Sequence, residues 1–215
     1  MKERPILFST AMVRAILEGR KTQTRRVMRR QPDAVEYFKR GEVTADTNAE
    51  NAILRCYNNP KGFKKCASGW SASATYKTPF SEFNVGDRLW VRETFRFYDS
   101  DECPHADFPC GCPRNGTPLF KASHDCGDGE KWKPSIHMPR SACRLILEIA
   151  NIRVERLIDI SESDCLKEGV GSPILRDCKK PKFMQLWESI NGADSWSENP
   201  WVWVIEFKVI QGGEL

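Results

Sequence analysis

No apolar run in this chain approaches the length of a membrane span, and the opening Met1-Lys2-Glu3-Arg4-Pro5 has no hydrophobic core of the kind a signal peptide needs. Membrane insertion and export are therefore not expected. Internal repeats and low-complexity tracts are missing too, which argues against solenoid and array architectures. A large excess of one charge is also absent: the formal net charge is +4 and the pI is near 8.6. That balance permits a polyanionic partner without requiring one, so what matters is where the charges cluster.

What is present points to a folded chain. With 215 residues there is room for one domain with elaborations or for two small ones. A hydrophobic content of 40% and seven Trp supply a core, which argues against wholesale disorder. Nine Cys is an odd number in a chain without an export signal. The economical reading is a reducing cytoplasm, with thiols left free and some of them available to a metal.

The pattern predicts short elements separated by two inserts. Residues 9–19 read as a helix: Ser9 or Thr10 caps it, Met12, Val13, Ile16 and Leu17 form a stripe, and Gly19 suits a left-handed terminus. From about 31 to 82 periodicity is poor, and a long loop is expected. Gly86 and Asp87 turn into a strand in which Leu89 and Val91 share a face. Residues 99–133 form a second insert rich in Cys, His, Gly, Pro and Asp. Strands follow over 144–149 and 152–157. Ser161 to Asp164 resembles a capping box opening a helix that stops at Gly169. Pro181 starts another, with Phe183, Leu186, Trp187 and Ile190 at core spacing. The β-branched and aromatic run 201–209 closes the chain as a strand. The expected class is mostly β with short helices (α+β), and short strands with intervening turns favour a small barrel over a sandwich.

One segment carries most of the chemistry. Residues 20–30 hold six basic side chains and no acidic one, directly after a helix-stopping Gly19. Cations on an ordered turn are fixed in space, so they can meet a phosphate or a polar ring in a defined geometry. Thr22, Gln23 and Thr24 add neutral hydrogen-bonding groups between them. Arg20, Lys21, Arg25 and Arg26 are the expected contacts. A basic run can equally be a solvated face.

Residues 16–26, with the helix ending in Gly-x-Lys-Thr-x-x-x-Arg, resemble the opening motif of the ASCH domain family, within the PUA-like β-barrel superfamily. Gly86-Asp87 and Trp203-Val204-Ile205-Glu206-Phe207 fit the same family. Pro134-Ser135-Ile136-His137-Met138-Pro139-Arg140 together with Leu89-Trp90-Val91-Arg92-Glu93 is similar to the ASCH-type proteins of tailed bacteriophages and prophages. The resemblance spreads from about residue 5 to 210 and implies a single ASCH-like domain over 1–215, interrupted by the inserts 31–82 and 99–133. It implies a PUA-like barrel in the cytoplasm of a bacterial host cell, binding RNA or a modified nucleotide in a cleft beside the motif. Some family members are amidohydrolases that remove the acetyl group of N4-acetylcytidine, and one branch is described as ribonuclease. A phage assembly or host-interaction protein with a vestigial cleft is a third class.

Carried over by position, the amidohydrolase pattern implies a catalytic lysine at Lys21, a hydroxyl residue at Thr24 and a carboxylate at Glu168. Amide hydrolysis needs a water activated by a base and a group that stabilises the oxyanion. Neighbouring arginines disfavour protonation of a lysine and a close carboxylate favours it, so sequence leaves the balance open. The plainer alternative gives Lys21 a phosphate, Thr24 a strand edge and Glu168 an exposed helix end.

The second insert concentrates soft ligands: Cys103, His105, Cys110, Cys112, His124 and Cys126 fall within 24 residues. Four of them could hold a structural zinc that staples a loop lacking an apolar core. Against that, paired Cys-x-x-Cys knuckles are missing, and free thiols are the alternative; no organic cofactor is expected. Among the aromatics, Trp187, Trp201 and Trp203 read as core. Trp132, between Lys131 and Lys133, reads as a base-stacking residue, and His137 either as a polar group facing the cleft or as a structural histidine, the commoner role of a lone His.

Overall fold

The computed structural model describes residues 1–28, 31, 34–39, 42–44, 53–57, 73–74, 85–99, 101, 112–124, 131–171 and 178–212. In chain order these form β1 (Glu3–Leu7), α1 (Thr10–Leu17), β2 (Gln23–Val27), β3 (Ala34–Lys39), β4 (Glu42–Thr44), β5 (Ile53–Tyr57), β6 (Ser73–Ala74), β7 (Arg88–Arg92) and β8 (Phe95–Phe97). There follow β9 (Pro118–Phe120), β10 (Ile146–Arg156), α2 (Glu162–Lys167), α3 (Lys179–Asn191) and β11 (Trp201–Gln211). The protein is mixed α+β, mostly sheet with few short helices. Strands are hydrogen-bonded in the orders β1-β7-β10-β11-β2, β4-β3-β5-β6 and β8-β9.

The chain divides into two compact units. The first comprises Met1–Lys21, Asp87–Glu148 and Lys208–Leu215, the second Thr22–Gly86 and Ile149–Phe207. In the first, β1 runs parallel to β7 and β7 antiparallel to the start of β10, so Trp90 lies opposite both Pro5 and Ile146. Period-2 alternation sends Leu89 and Val91 into the core and turns Arg88, Trp90 and Arg92 to the outer, half-exposed face. Ser9 caps α1 by accepting the Met12 N–H at 3.4 Å, and Val13, Ala15 and Ile16 are buried. Burying each larger side chain stabilises by about 1.5–3 kcal/mol relative to leaving it exposed. Gly19, at φ 72, takes the left-handed position that lets the chain leave α1 sharply toward β2.

In the second unit β11 pairs with β2, placing Thr24 opposite Ile205, Arg25 opposite Val204 and Arg26 opposite Trp203. Leu157, Ile160, Cys165, Phe183, Trp187, Val202 and Val204 form the core. Ser161 accepts the Asp164 N–H at 3.0 Å and caps α2, and Gly169, at φ 84, follows its end. Helix α3 begins at Lys179, two residues before the expected Pro181. The Glu162 carboxylate accepts the N–H groups of Lys179 and Lys180 at 2.8 and 3.3 Å, doing the work a capping residue would do.

Two further expectations differ from the structure. The strands expected over 144–149 and 152–157 are one continuous β10, because Ala150 and Asn151, despite their small and polar side chains, keep the extended backbone. The loop expected over 31–82 contains β3 to β6, an antiparallel sheet. Its strands are only two to six residues long.

Candidate functional site

The neighbours of β2 decide what its basic side chains meet. Thr22 donates its N–H to the Lys167 carbonyl at 2.8 Å and accepts that of Phe207 at 2.9 Å. The start of β2 is thereby tied to the end of α2 on one side and to β11 on the other. Asp164 and Glu168 lie four residues apart, at the spacing that puts two side chains on one helical face. That face meets Arg25.

The Arg25 side chain is 1% exposed. Its Nη1 donates to Glu168 Oε1 at 3.1 Å, while Nη2 donates to Glu155 Oε1 and to Asp164 Oδ2, the latter at 3.4 Å. The Phe183 ring lies 5.9 Å from the guanidinium. Arg153 extends the network. Its Nη1 donates to Glu206 Oε1 at 2.5 Å, and its Nη2 to Asp164 Oδ2 and Gln23 Oε1, each at 3.4 Å. Two guanidiniums are thus held among four carboxylates on β10, α2 and β11. Desolvating such ions costs several kcal/mol each and is offset only where the hydrogen bonds are made. Burial opposes ionisation of Asp164, but the Ser161 hydrogen bond and the charges of Arg25, Arg153 and Lys167 outweigh it and hold its carboxyl below the ordinary value. Burial also lowers the basicity of Arg26, against the charge of Glu168, which raises it.

Each residue proposed from sequence has a definite setting. Arg25 does not offer its charge to solvent as a phosphate contact would; α2 fills its fork with carboxylates. Thr24 is 2% exposed and Glu168, capping the end of α2, is 5% exposed, which overturns the alternative of Glu168 as an exposed helix end. Lys21 belongs to the first unit. It is 1% exposed, its N–H bonds the Ala15 carbonyl and its Nζ lies 5.7 Å from the Phe8 ring. Arg20 is exposed and donates to Glu18 at 2.6 Å. Trp132 is half-buried with the Arg96 guanidinium 5.8 Å from its ring, and His137 is exposed in a 3-10 turn, Ser135–His137. Trp187 and Trp203 sit in the core, whereas Trp201 is half-buried under Arg156.

Of the zinc ligands considered, Cys103, His105, Cys110 and Cys126 lie outside the described residues; Cys112 is half-buried and His124 exposed. Among the described residues no group of three or more His, Cys, Asp and Glu converges as a metal site. None is long and apolar enough in helix to cross a membrane. A pocket of about 260 Å³ in the second unit, lined by Ile158, Lys180, Pro181, Met184 and Trp196, includes none of the residues proposed from sequence.

Sequence reasoning missed Gln23, Arg153, Glu155, Asp164 and Glu206 as partners of the motif. A signal existed: Arg153 and Glu155 interrupt an apolar strand, and Glu206 stands between Ile205 and Phe207. Charges at such places need partners. No protein-family model, curated protein or solved structure matches the chain.

Proposed function

We propose that this chain recognises RNA or a modified nucleotide beside β2, on a PUA-like barrel of the ASCH type. The observation that carries the reading is the 3.1 Å bond from Arg25 to Glu168. It fixes a carboxylate in a buried polar network that, through Asp164, also holds Arg153 and Gln23. Carboxylates and amides are the groups that read base edges, a carboxylate accepting from an exocyclic amine, whereas phosphates call for exposed cations. In the motif Arg20 is the exposed cation that fits that role. Buried, partnered charge of this kind is found at functional sites. Titration with nucleosides and with RNA tests the reading. Base-edge recognition predicts nucleoside binding that changes little with salt, since few counterions are released. A chain that binds neither ligand, and instead retains a protein partner in pull-downs, belongs to the phage assembly or host-interaction class.

A second reading, amidohydrolysis of N4-acetylcytidine-like nucleosides, is favoured by the burial of Thr24 and Glu168 in the same unit. Lys21 would move the proton, Thr24 would orient the water or carbonyl, and Glu168 would be the carboxylate. Release of acetate, abolished in Lys21→Ala and in Lys21→Arg alike, distinguishes proton transfer from simple charge. Arg keeps the positive charge but does not give up a proton at neutral pH. A structural zinc within residues 103–126 remains part of the proposal, and elemental analysis tests it.

A further inference from the structure

The motif is not the only basic stretch, and the first unit holds a second one in a different state. Residues 131–140, Lys-Trp-Lys-Pro-Ser-Ile-His-Met-Pro-Arg, contain three cations and no carboxylate. Their backbone is ordered. Lys133 and Phe95 exchange both N–H···O=C bonds, at 2.8 and 3.2 Å, and two 3-10 turns follow at Ser135–His137 and Arg140–Ala142. Met138, 1% exposed, anchors the ribbon among Phe95 and Ala142, and its Sδ accepts the Glu93 N–H at 3.2 Å.

The anchored backbone leaves the polar side chains outside. Lys131, Lys133, His137 and Arg140 are all exposed, and so is Phe97, at 39%. Lys133 Nζ lies 5.8 Å from the Phe97 ring, and Phe97 packs edge-on against buried Phe95, which fixes its orientation. Further along, Arg92 bonds the Ile136 carbonyl, and the Arg92 and Arg140 guanidiniums stand 5.5 and 5.9 Å from the Trp90 ring. Arg140 has a carboxylate partner in Glu3, at 2.8 Å, whereas Arg92 bonds a neutral carbonyl. Four cation–ring contacts gather on and beside this ten-residue ribbon, counting Arg96 over Trp132.

We infer that residues 131–140, with Phe97, form a docking surface for single-stranded nucleic acid. The inference rests on the nucleic-acid reading above and moves the phosphate contacts away from Arg25, whose fork is filled. Cations beside an exposed ring are what a single strand needs: phosphates meet the ammonium and guanidinium groups while an unpaired base stacks on Phe97. A duplex would offer no free base face to Phe97. Phe97 rather than half-buried Trp132 is the stacking residue, because the Trp132 ring lies under Arg96.

Fluorescence anisotropy with a labelled uridine-rich 12-mer RNA, repeated over a salt series, tests this. Lys131→Gln/Lys133→Gln removes two exposed charges without touching the core. It should weaken binding and flatten the log Kd against log salt slope by about 1.4, at about 0.7 per phosphate contact on a single strand. Phe97→Ala should lose roughly 5- to 150-fold, the worth of one stacked base, and Phe97→Tyr should restore most of it. Lys208→Gln, an exposed charge elsewhere, should change nothing. If the wild type binds but Arg20→Gln/Arg26→Gln loses far more than the ribbon variants, the ribbon is overturned and nucleic-acid binding at the motif stands. If the wild type binds no RNA, the ribbon is overturned, while binding of a nucleoside would leave the reading at the motif standing.

Discussion

Replacing Arg25 with Met separates a buried structural cation from a solvent-facing phosphate contact. The substitution keeps an unbranched side chain of similar length but leaves Glu155, Asp164 and Glu168 without the guanidinium they share. Removing one partner of a buried ion pair costs about 3–5 kcal/mol, because the remaining charge stays desolvated. For a chain of this size each kcal/mol shifts Tm by about 2–4 °C, so a fall of roughly 6 to 20 °C is expected by circular dichroism. Arg25→Lys restores a charge but not the fork that reaches three carboxylates, and should fall between. The comparison is Arg20→Met, whose exposed pair with Glu18 is worth at most about 1 kcal/mol. If Arg25→Met proves as mild as Arg20→Met, the network does not hold Arg25, and the assignment of its charge to the interior is refuted.

The same network sets a pH dependence. Asp164 has a folded pKa below its ordinary value, so its contribution to stability is full above that value and is lost as pH falls through and below it. Acid melts below about pH 4 should therefore narrow the gap between wild type and Arg25→Met. Cys165 behaves oppositely. Burial pushes its thiol up to about 11. The stability this represents is intact below the ordinary thiol range and is lost as pH rises through it toward 11, and at pH 8 peptide mapping after brief alkylation should find Cys178 modified and Cys165 protected. Elemental analysis is expected to find about one zinc per chain, lost when Cys110 and Cys112 are both Ser; retention in that variant, or zinc far below one equivalent, would count against the site.

The elements legible in the sequence are those whose local signals agree. Ser9, the α1 stripe and Gly19 each specify the same helix, and alternation in β7 specifies the same buried face. The closing strand β11 lies inside the five-stranded sheet, as its β-branched run implies. What sequence hid was long-range. Arg25 and Glu168 are 143 residues apart, and nothing near either shows that a helix will deliver carboxylates to a strand. The basic run looked uniform because one-letter order ignores which face of β2 each cation takes. Trp132 stood out by composition, yet pairing of residue 133 with β8 makes Phe97 the exposed ring. β3 to β6 were missed because pairing, which is non-local, defines strands so short.

Calorimetric titration with cytidine and N4-acetylcytidine, on the wild type and on Glu168→Gln, tests the central claim most directly. The wild type should bind at least one nucleoside saturably. A Glu168→Gln variant whose circular dichroism shows it folded should bind at least roughly ten-fold more weakly, since losing a charged hydrogen-bond acceptor costs about 1.4 kcal/mol or more. Equal affinity in the two proteins, or no nucleoside bound by the wild type, would contradict that claim.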